Sequence, residues 1–289
     1  MSNSTKTVSH VLKVGADFLE SKKVKNSRLV CEILLSRLLS CQRLELYLRY
    51  KDELSEKQLA AMRRGIKRVG VGEPVQYITG EAGFMDYVFK VDRRALIPRP
   101  ETEVLVKSVL ECNALWQHEE PHIVDVGTGS GCIVLSLASV HKNAKYLAID
   151  ISDEALSLAR ENAERMKLSE HVNFVNVDIS DVIEPESVNA VVANLPYIST
   201  SDCENLDVEV RDYEPRTALD GGVDGLCIIE AVVQDAGIVL QNGGMIFLEI
   251  GDDQGPKVKS LLEAAGFSDV KVIHDLTERD RVVLGQLSI

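Results

Sequence analysis

The chain has 289 residues, 45% of them hydrophobic, and a formal net charge of −13. That length supports one large domain or two smaller ones with a sizeable core, and the apolar runs are too short and interrupted to cross a bilayer. The charge is uneven. Residues 1–80 hold 15 Lys and Arg against 8 Asp and Glu, and the remainder holds 17 against 37. A basic front on an acidic body reads either as two modules with different partners or as a solvated helical surface with a biased charge. Cys31, Cys41, Cys112, Cys132, Cys203 and Cys227 show no CxxC spacing, and the six histidines form no metal motif. Zinc is therefore not expected. The cysteines, with Cys31 and Cys227 in apolar patterns, read as reduced core thiols of a cytoplasmic protein. The first ten residues carry no apolar signal segment.

From Val11 to about Met62 the apolar spacing is helical, with Leu29, Ile33, Leu34 and Leu38 at intervals of one to four. Leu44, Leu46 and Leu48 alternate like a strand, but their charged surroundings favour a short helix. Ser55 and Gln58 have the spacing of a capping box for the next helix. Residues 1–72 are thus expected to form a small helical domain, closed by Gly70, Gly72 and Pro74. Residues 73–101 read as a linker. They hold a β-hairpin with its turn near Met85-Asp86 and a further strand through Ala95–Ile97. Pro98 and Pro100 bracket Arg99 and keep that loop extended. Thr102 is placed to cap a helix that runs from Glu103 through Leu115.

The stretch from His122 to Asp150 is the centre of the chain. Ile123–Val126 is an apolar run that ends in Gly127-Thr128-Gly129-Ser130-Gly131. A helical pattern with Ile133, Leu135, Leu137 and Ala138 follows, and the run Tyr146–Ile149 then ends in Asp150. Strand, glycine turn, helix, strand and acid make a nucleotide-binding βαβ unit. Glycines let the backbone approach a ligand closely, and a carboxylate at the next strand end can accept two hydrogen bonds from a ribose diol. The spacing is GxGxG rather than GxGxxG, and no Gly-Lys-Ser/Thr follows, so a P-loop is excluded. Acids at Asp125 and Asp150 suit a ligand without a pyrophosphate. Taken alone, this turn is also compatible with a tight turn that binds nothing.

Beyond Asp150, Ser152–Lys167 is helical, and Val172–Val177 is a strand ending in Asp178. Val188–Ala193 is a buried strand, apolar apart from Asn189, with Asn194 at its carboxyl end. A polar loop covers 199–222, and Asp224–Leu240 is a long helix. The strand Met245–Ile250, the helix Lys257–Ala265 and the strands Val270–Ile273 and Arg281–Leu284 complete the chain. Buried strands alternating with helices indicate a doubly wound α/β fold, and the final pair can be a hairpin with one antiparallel strand.

Asn194-Leu195-Pro196-Tyr197 follows a strand end, where open α/β sheets place their ligands. An asparagine oxygen plus a main-chain carbonyl can hold both hydrogens of a planar NH2 group. Pro196 stiffens the loop and Tyr197 offers a flat face. The alternative for the tetrapeptide alone is an ordinary strand-ending turn. Together with the GxGxG turn, it resembles the S-adenosylmethionine-dependent methyltransferases of planar amino nitrogens. The chain as a whole resembles the bacterial protein-(glutamine-N5) methyltransferases that modify peptide chain release factors. The blocks that carry this resemblance are EPVQYITGEAGF, LIPRPETEVLV, DVGTGSGCI, NLPYI, EPRTALDGGVDGL and EIGDDQG, in that order.

The resemblance implies a seven-stranded Rossmann-like methyltransferase sheet over residues 102–289, behind a substrate-docking helical domain at 1–72. It implies S-adenosyl-L-methionine as cofactor and S-adenosyl-L-homocysteine as product. Gly127, Thr128, Gly129 and Gly131 would wrap the methionine part, Asp150 would hold the ribose, and Asp178 would lie beside the adenine. Asn194 and the carbonyl of Leu195 would hold the substrate amide, with Pro196 and Tyr197 walling the pocket. The loop with Arg99, Pro100, Glu101 and Glu103 would cover cofactor and peptide. The implied substrate is the glutamine of the Gly-Gly-Gln tip of class 1 release factors, near the ribosome in the cytoplasm, with no DNA and no membrane partner. Leu195 departs from the family's Asn-Pro-Pro-Tyr, and Asn-Leu-Pro-Tyr also resembles ribosomal RNA adenine dimethyltransferases. LIPRPETE and the amino-terminal helical domain argue against that rival. A non-catalytic, ribosome-associated cofactor-binding protein is the other alternative.

Overall fold

The computed structural model describes residues 6–177 and 184–288. Contacts divide the chain into two compact units, one reaching up to Glu81 and including Asp207–Tyr213, the other taking Ala82–Leu206 and the residues from Glu214 onward.

The first unit is built from α1 (Val8–Ser21), α2 (Ser27–Leu39), α3 (Glu45–Leu48), α4 (Glu56–Gly70) and α5 (Val75–Thr79). The leucines at 44–48 do fall on a helical turn, which buries Leu46 and leaves Leu44 and Leu48 exposed. Ser55 and Gln58 form the capping box: Gln58 N donates to Ser55 Oγ, and Ser55 N donates to Gln58 Oε1. Both donors would otherwise be left open at the start of α4. That helix buries Leu59, Met62, Ile66 and Val69 and exposes Arg63, Arg64, Lys67 and Arg68, the stripe expected of a 3.6-residue period. Gly15 brings α1 against its neighbours, since a Cβ there would stand 2.8 Å from Ile66 Cδ1 and 2.9 Å from Cys31 Sγ. The unit continues past residue 72 and takes in the distant turn α11 (Val208–Arg211). There Lys25 Nζ lies 2.7 Å from Asp207 Oδ2.

The second unit opens, from Ala82 on, with the expected hairpin, β1 (Glu81–Phe84) and β2 (Tyr87–Lys90), turning at Met85-Asp86. Ala95–Ile97 is a loop and not the expected strand. Ala95 and Ile97 are buried, and Ile97 N donates to a carboxylate, Glu214 Oε2, rather than to a neighbouring strand. The helix expected through Leu115 is two helices, α6 (Thr102–Leu110) and α7 (Asn113–Trp116). Trp116 Nε1 donates to Val109 O and folds the second back on the first. Thr102 does not cap α6: Glu101 occupies the N-cap without a side-chain bond, and Thr102 is buried.

Seven strands form one sheet: β3 (His122–Val126), β4 (Lys145–Ile149), β5 (Val172–Val175), β6 (Val188–Asn194), β7 (Leu240–Glu249), β8 (Phe267–His274) and β9 (Asp280–Leu287). Their order is β5-β4-β3-β6-β7-β9-β8, with β9 antiparallel to both its neighbours and the β5-to-β7 pairings parallel. Side chains alternate between two cores, as the two-residue period of a strand requires. Val124, Val191, Ile246 and Leu248 face one side, with α12 (Cys227–Val239) and α13 (Gly255–Ala264). Ile123, Ala190, Val192 and Phe247 face the other, with α6 and α8 (Cys132–Val140). Parallel strands covered on both faces explain the nearly unbroken apolar run of β6. Asn189, the polar residue within that run, accepts from His122 N through Oδ1 at 2.8 Å. The loop after β6 holds α10 (Thr200–Cys203) and a 3-10 turn at Arg216–Ala218. Cys31 is buried as expected, but Cys227 is exposed, because it starts α12 on the face opposite Ile229, Val232 and Val233.

Candidate functional site

The chain runs from β3 through α8 to β4 on one side of β3, and β6 lies on the other side. Strand order therefore reverses between β3 and β6, and such a switch point leaves a crevice beyond the carboxyl ends. Register aligns the ends: Val126 pairs with Ile149 and with Ala193, and Asn194 pairs with Glu249. Asp150, Gly127, Asn194 and Glu249 thus succeed one another along one edge, each strand about 4.8 Å from the next.

Gly127, Gly129 and Gly131 have φ of +70°, +55° and +79°, a left-handed backbone that side chains strain. Gly131 is also set by packing, since a Cβ there would lie 3.1 Å from Leu135 Cδ1 and 3.2 Å from Ala159 Cβ on α9 (Asp153–Met166). Gly127 N and Thr128 N both donate to Ile149 O, which stitches the turn to β4. Thr128 turns its hydroxyl inward to Asp125 Oδ2 at 2.7 Å. Asp125 is fully buried, so it braces the turn from beneath rather than facing a ligand, and its Oδ1 has no partner among the described residues. Burial pushes its carboxyl up to about 7, against the pull of the Thr128 hydrogen bond. Asp150 accepts from Gly129 N through Oδ2 and from Ser152 N through Oδ1, each at 2.9 Å. Burial raises its pKa while these two amides hold it back. Each oxygen keeps a second lone pair for a ligand hydroxyl. Asp178 lies outside the described residues.

Asn194 ends β6 half-buried, and its Nδ2 donates to Thr102 Oγ1 at 3.1 Å. That leaves Oδ1 as the group it can offer as an acceptor. Its main-chain oxygen would stand 3.9 Å from a Cβ built at Gly127, so asparagine and glycine turn share one crevice wall. Leu195 buries its side chain in the core with Val124 and Val126 and would touch the same Cβ with Cδ2 at 3.5 Å. Packing here anchors the loop where a second proline would have stiffened it. Gln254 Nε2 donates to Tyr197 O at 3.0 Å. Gly221 and Gly225 bring a further loop onto the Pro196-Tyr197 backbone so closely that Cβ atoms would stand 2.5 Å from Pro196 O and 2.2 Å from Tyr197 O. Burial pushes the Tyr197 phenol up to about 12.

The charges of Arg99 and Glu101 both reach Tyr197, so the arginine loop lies at this edge. Arg99 pairs with Glu214, a buried carboxylate that also accepts from Ile97 N. Pro100 and Glu101 are exposed. Glu103 is placed differently: its Oε1 accepts from Met85 N at 2.9 Å and its Oε2 pairs with Lys107, which fixes the hairpin. Sequence reasoning assigned no part in the site to five supporting residues: Asn162, Glu214, Glu249, Gln254 and Thr102, the last of which it read only as a helix cap. Asn162 accepts from Lys90 N and donates to Ser130 O and Lys90 O, tying α9 to the glycine turn and to β2. The blocks EPRTALDGG and EIGDDQG contained three of the five, but nothing in them named a partner.

The edge offers main-chain approach and a charged acceptor of the kind a ribose-bearing ligand needs. Left-handed glycines give close main-chain approach, and Asp150 supplies a charged acceptor one strand away. Among the described residues no three His, Cys, Asp or Glu side chains gather as metal ligands, and no helix is long and apolar enough to cross a membrane.

Residues 10–80 match the family described as PrmC N-terminal domain, and residues 117–256 match a methyltransferase domain. The release factor glutamine methyltransferase of Chlorobaculum tepidum is 39% identical over 95% of this chain and 95% of its own. The protein of that name from Moorella thermoacetica is 41% identical over 90% and 92%. Among solved structures, the hMettl16 catalytic domain shares the fold with a TM-score of 0.56 at 16% identity, covering 70% of this chain and 76% of that one. A methyltransferase from Pyrococcus furiosus does so with a TM-score of 0.50 at 18% identity, covering 70% and 89%. With a methyltransferase sheet, a matching amino-terminal domain and relatives aligned nearly end to end, the chain belongs to the family of release factor glutamine methyltransferases.

Proposed function

We propose that this protein transfers a methyl group from S-adenosyl-L-methionine to the side-chain nitrogen of the glutamine in the Gly-Gly-Gln tip of class 1 release factors. The observation that carries the reading is Asn194, which stands beside the glycine turn with Nδ2 tied back to Thr102 and Oδ1 left to accept. In this reading the backbone of Gly127–Gly129 and the Asp150 carboxylate hold the cofactor. When bound, that cofactor supplies an activated methyl on a sulfonium, so the protein needs no nucleophile of its own.

The chain's own residues orient the acceptor. Asn194 Oδ1 and Leu195 O each accept one hydrogen of the glutamine NH2, which turns the face of the nitrogen toward the methyl donor. An amide nitrogen is a weak nucleophile because its lone pair is shared with its carbonyl. Two acceptors raise its electron density and fix its approach, effects that together can be worth several kcal/mol. The nitrogen gains the methyl and its surplus proton leaves to water. Tyr197 walls the pocket, with its backbone held by Gln254. Arg99, anchored on Glu214, lies over it. The helical unit, with exposed Arg63, Arg64, Lys67 and Arg68, supplies docking surface for the release factor. Free cysteines and a translation substrate support reading the protein as cytoplasmic.

Supplying labelled S-adenosylmethionine with a class 1 release factor, with ribosomal RNA, or with neither tests this. Label on the release factor is expected. Label on RNA instead would favour adenine methylation, and no label on either would favour a non-catalytic cofactor-binding protein.

A further inference from the structure

Glu249 ends β7 directly beside Asn194 in register, 1% exposed, and its Oε2 has no partner among the described residues. A buried carboxylate with an unsatisfied oxygen is costly and asks for a reason. Thr102, itself buried in the first turn of α6, accepts from Asn194 Nδ2, and its hydroxyl and that of Tyr197 lie within reach of the Glu249 carboxylate. We propose that Glu249 is a positioning residue which, acting through the Thr102 hydroxyl, compels Asn194 to turn its oxygen toward the acceptor amide. The proposal rests on the methyl-transfer reading above and names a residue that sets its geometry.

The argument is one of hydrogen-bond direction. A threonine hydroxyl has one proton, and an ionised carboxylate can only accept. The Thr102 proton is therefore drawn to Glu249, and only lone pairs face Asn194. Asn194 must then answer with its NH2, so Oδ1 points to the substrate. If position 249 could donate, the hydroxyl proton would be free to turn to Asn194. The asparagine amide would rotate by half a turn, and its NH2 would face the NH2 of glutamine, donor against donor. Glu249 thus chooses between an accepting and a repelling asparagine without touching substrate. Burial pushes its carboxyl up to about 7. The groups that face it are Arg281 from β9, Glu101 ahead of α6, Tyr197 after β6 and Cys132 at the start of α8. Protonation around neutral pH would flip the relay.

Three variants test this: Thr102→Val, which removes the hydroxyl at constant shape, Thr102→Ser, which restores it, and Glu249→Gln, which can donate. Single-turnover methyl transfer should fall about 100-fold in Thr102→Val and Glu249→Gln, the size seen when one preorganised polar contact is lost. Calorimetric affinity for S-adenosylmethionine should stay near wild type, and Thr102→Ser should recover most of the rate. The wild-type rate should drop on the acid side of about pH 7, and Glu249→Gln should lose that limb. Selective 15N-asparagine labelling reads the same flip without turnover: the Asn194 side-chain NH2 signal should move in Thr102→Val and Glu249→Gln and return in Thr102→Ser. Wild-type rates in Thr102→Val, or equal loss of cofactor affinity, would overturn the relay, and Thr102→Val decides even if Glu249→Gln folds poorly. Absence of transfer by the wild-type protein would instead remove the functional reading, and an unmoved NH2 signal would then sink the relay separately.

Discussion

Two stretches of one sheet edge hold their polar groups by different means. At the ends of β3 and β4, main-chain amides do the holding: Gly129 N and Ser152 N fix Asp150, and Ile149 O gathers the amides of Gly127 and Thr128. At the ends of β6 and β7, side chains from distant elements do it: Thr102 for Asn194 and Glu249, Gln254 for Tyr197, Glu214 for Arg99. Backbone cradles suit a ligand that is the same at every turnover. Side-chain relays suit a group whose donor and acceptor directions must be specified. The first stretch should therefore fail in affinity and the second in rate.

That contrast can be broken in four ways, three of them ranked by decreasing effect and a fourth read against pH. Asn194→Ala should lower transfer by about 100- to 1,000-fold, as loss of a preorganised polar contact does elsewhere, with cofactor affinity little changed. Calorimetry beside a transfer assay reads both, and equal loss of the two would erase the distinction. Glu214→Ala should destabilise the fold by about 3 kcal/mol, because it strands the Arg99 guanidinium and leaves Ile97 N without its acceptor. Urea denaturation measures it, and an unchanged midpoint would mean that the arginine loop is held by something else.

Asp150→Ala should weaken S-adenosylmethionine binding by roughly 10- to 100-fold, the value of a charged acceptor, while saturating cofactor restores most of the rate. A rate that stays low at saturation would move Asp150 to the other half. The fourth prediction is read as a pH dependence of stability and concerns Asp125. Its carboxyl, raised from 3.8 to about 7 by burial, keeps a proton in the folded protein that the unfolded chain has released. Stability from this group therefore falls as pH rises from 3.8 to about 7 and levels above it. Asp125→Asn removes that slope, so its melting temperature should gain on wild type as pH rises through the window. Parallel curves would show that the carboxyl is already ionised there.

Local patterns made the fold legible, and with it the half proposed to hold the cofactor. Gly127, Gly129 and Asp150 lie within one βαβ unit, and their residue types declare what the backbone and the ribose need. Asn194 was legible for the same reason, as a polar residue closing an apolar strand. The supporting residues were not, because each acts at a distance. Asn194 and Thr102 are 92 positions apart, Ile97 and Glu214 117, and Tyr197 and Gln254 57. A glutamate in EPRTALDGG carries no mark of the loop it will anchor. The errors share this origin. Ala95 and Ile97 alternate like a strand because both are buried, yet Ala95 N donates within a turn to Asp92 O and Ile97 N to a side chain, not to a ladder. Thr102 has the composition of a cap, but Asn194 claims its hydroxyl.

Tandem mass spectrometry of a class 1 release factor, incubated with this protein and S-adenosylmethionine in the presence of ribosomal RNA, tests the central claim most directly. The account predicts one added methyl on the side-chain nitrogen of the Gly-Gly-Gln glutamine and none on the RNA. A methyl on any other release-factor atom, or on adenine, would contradict it.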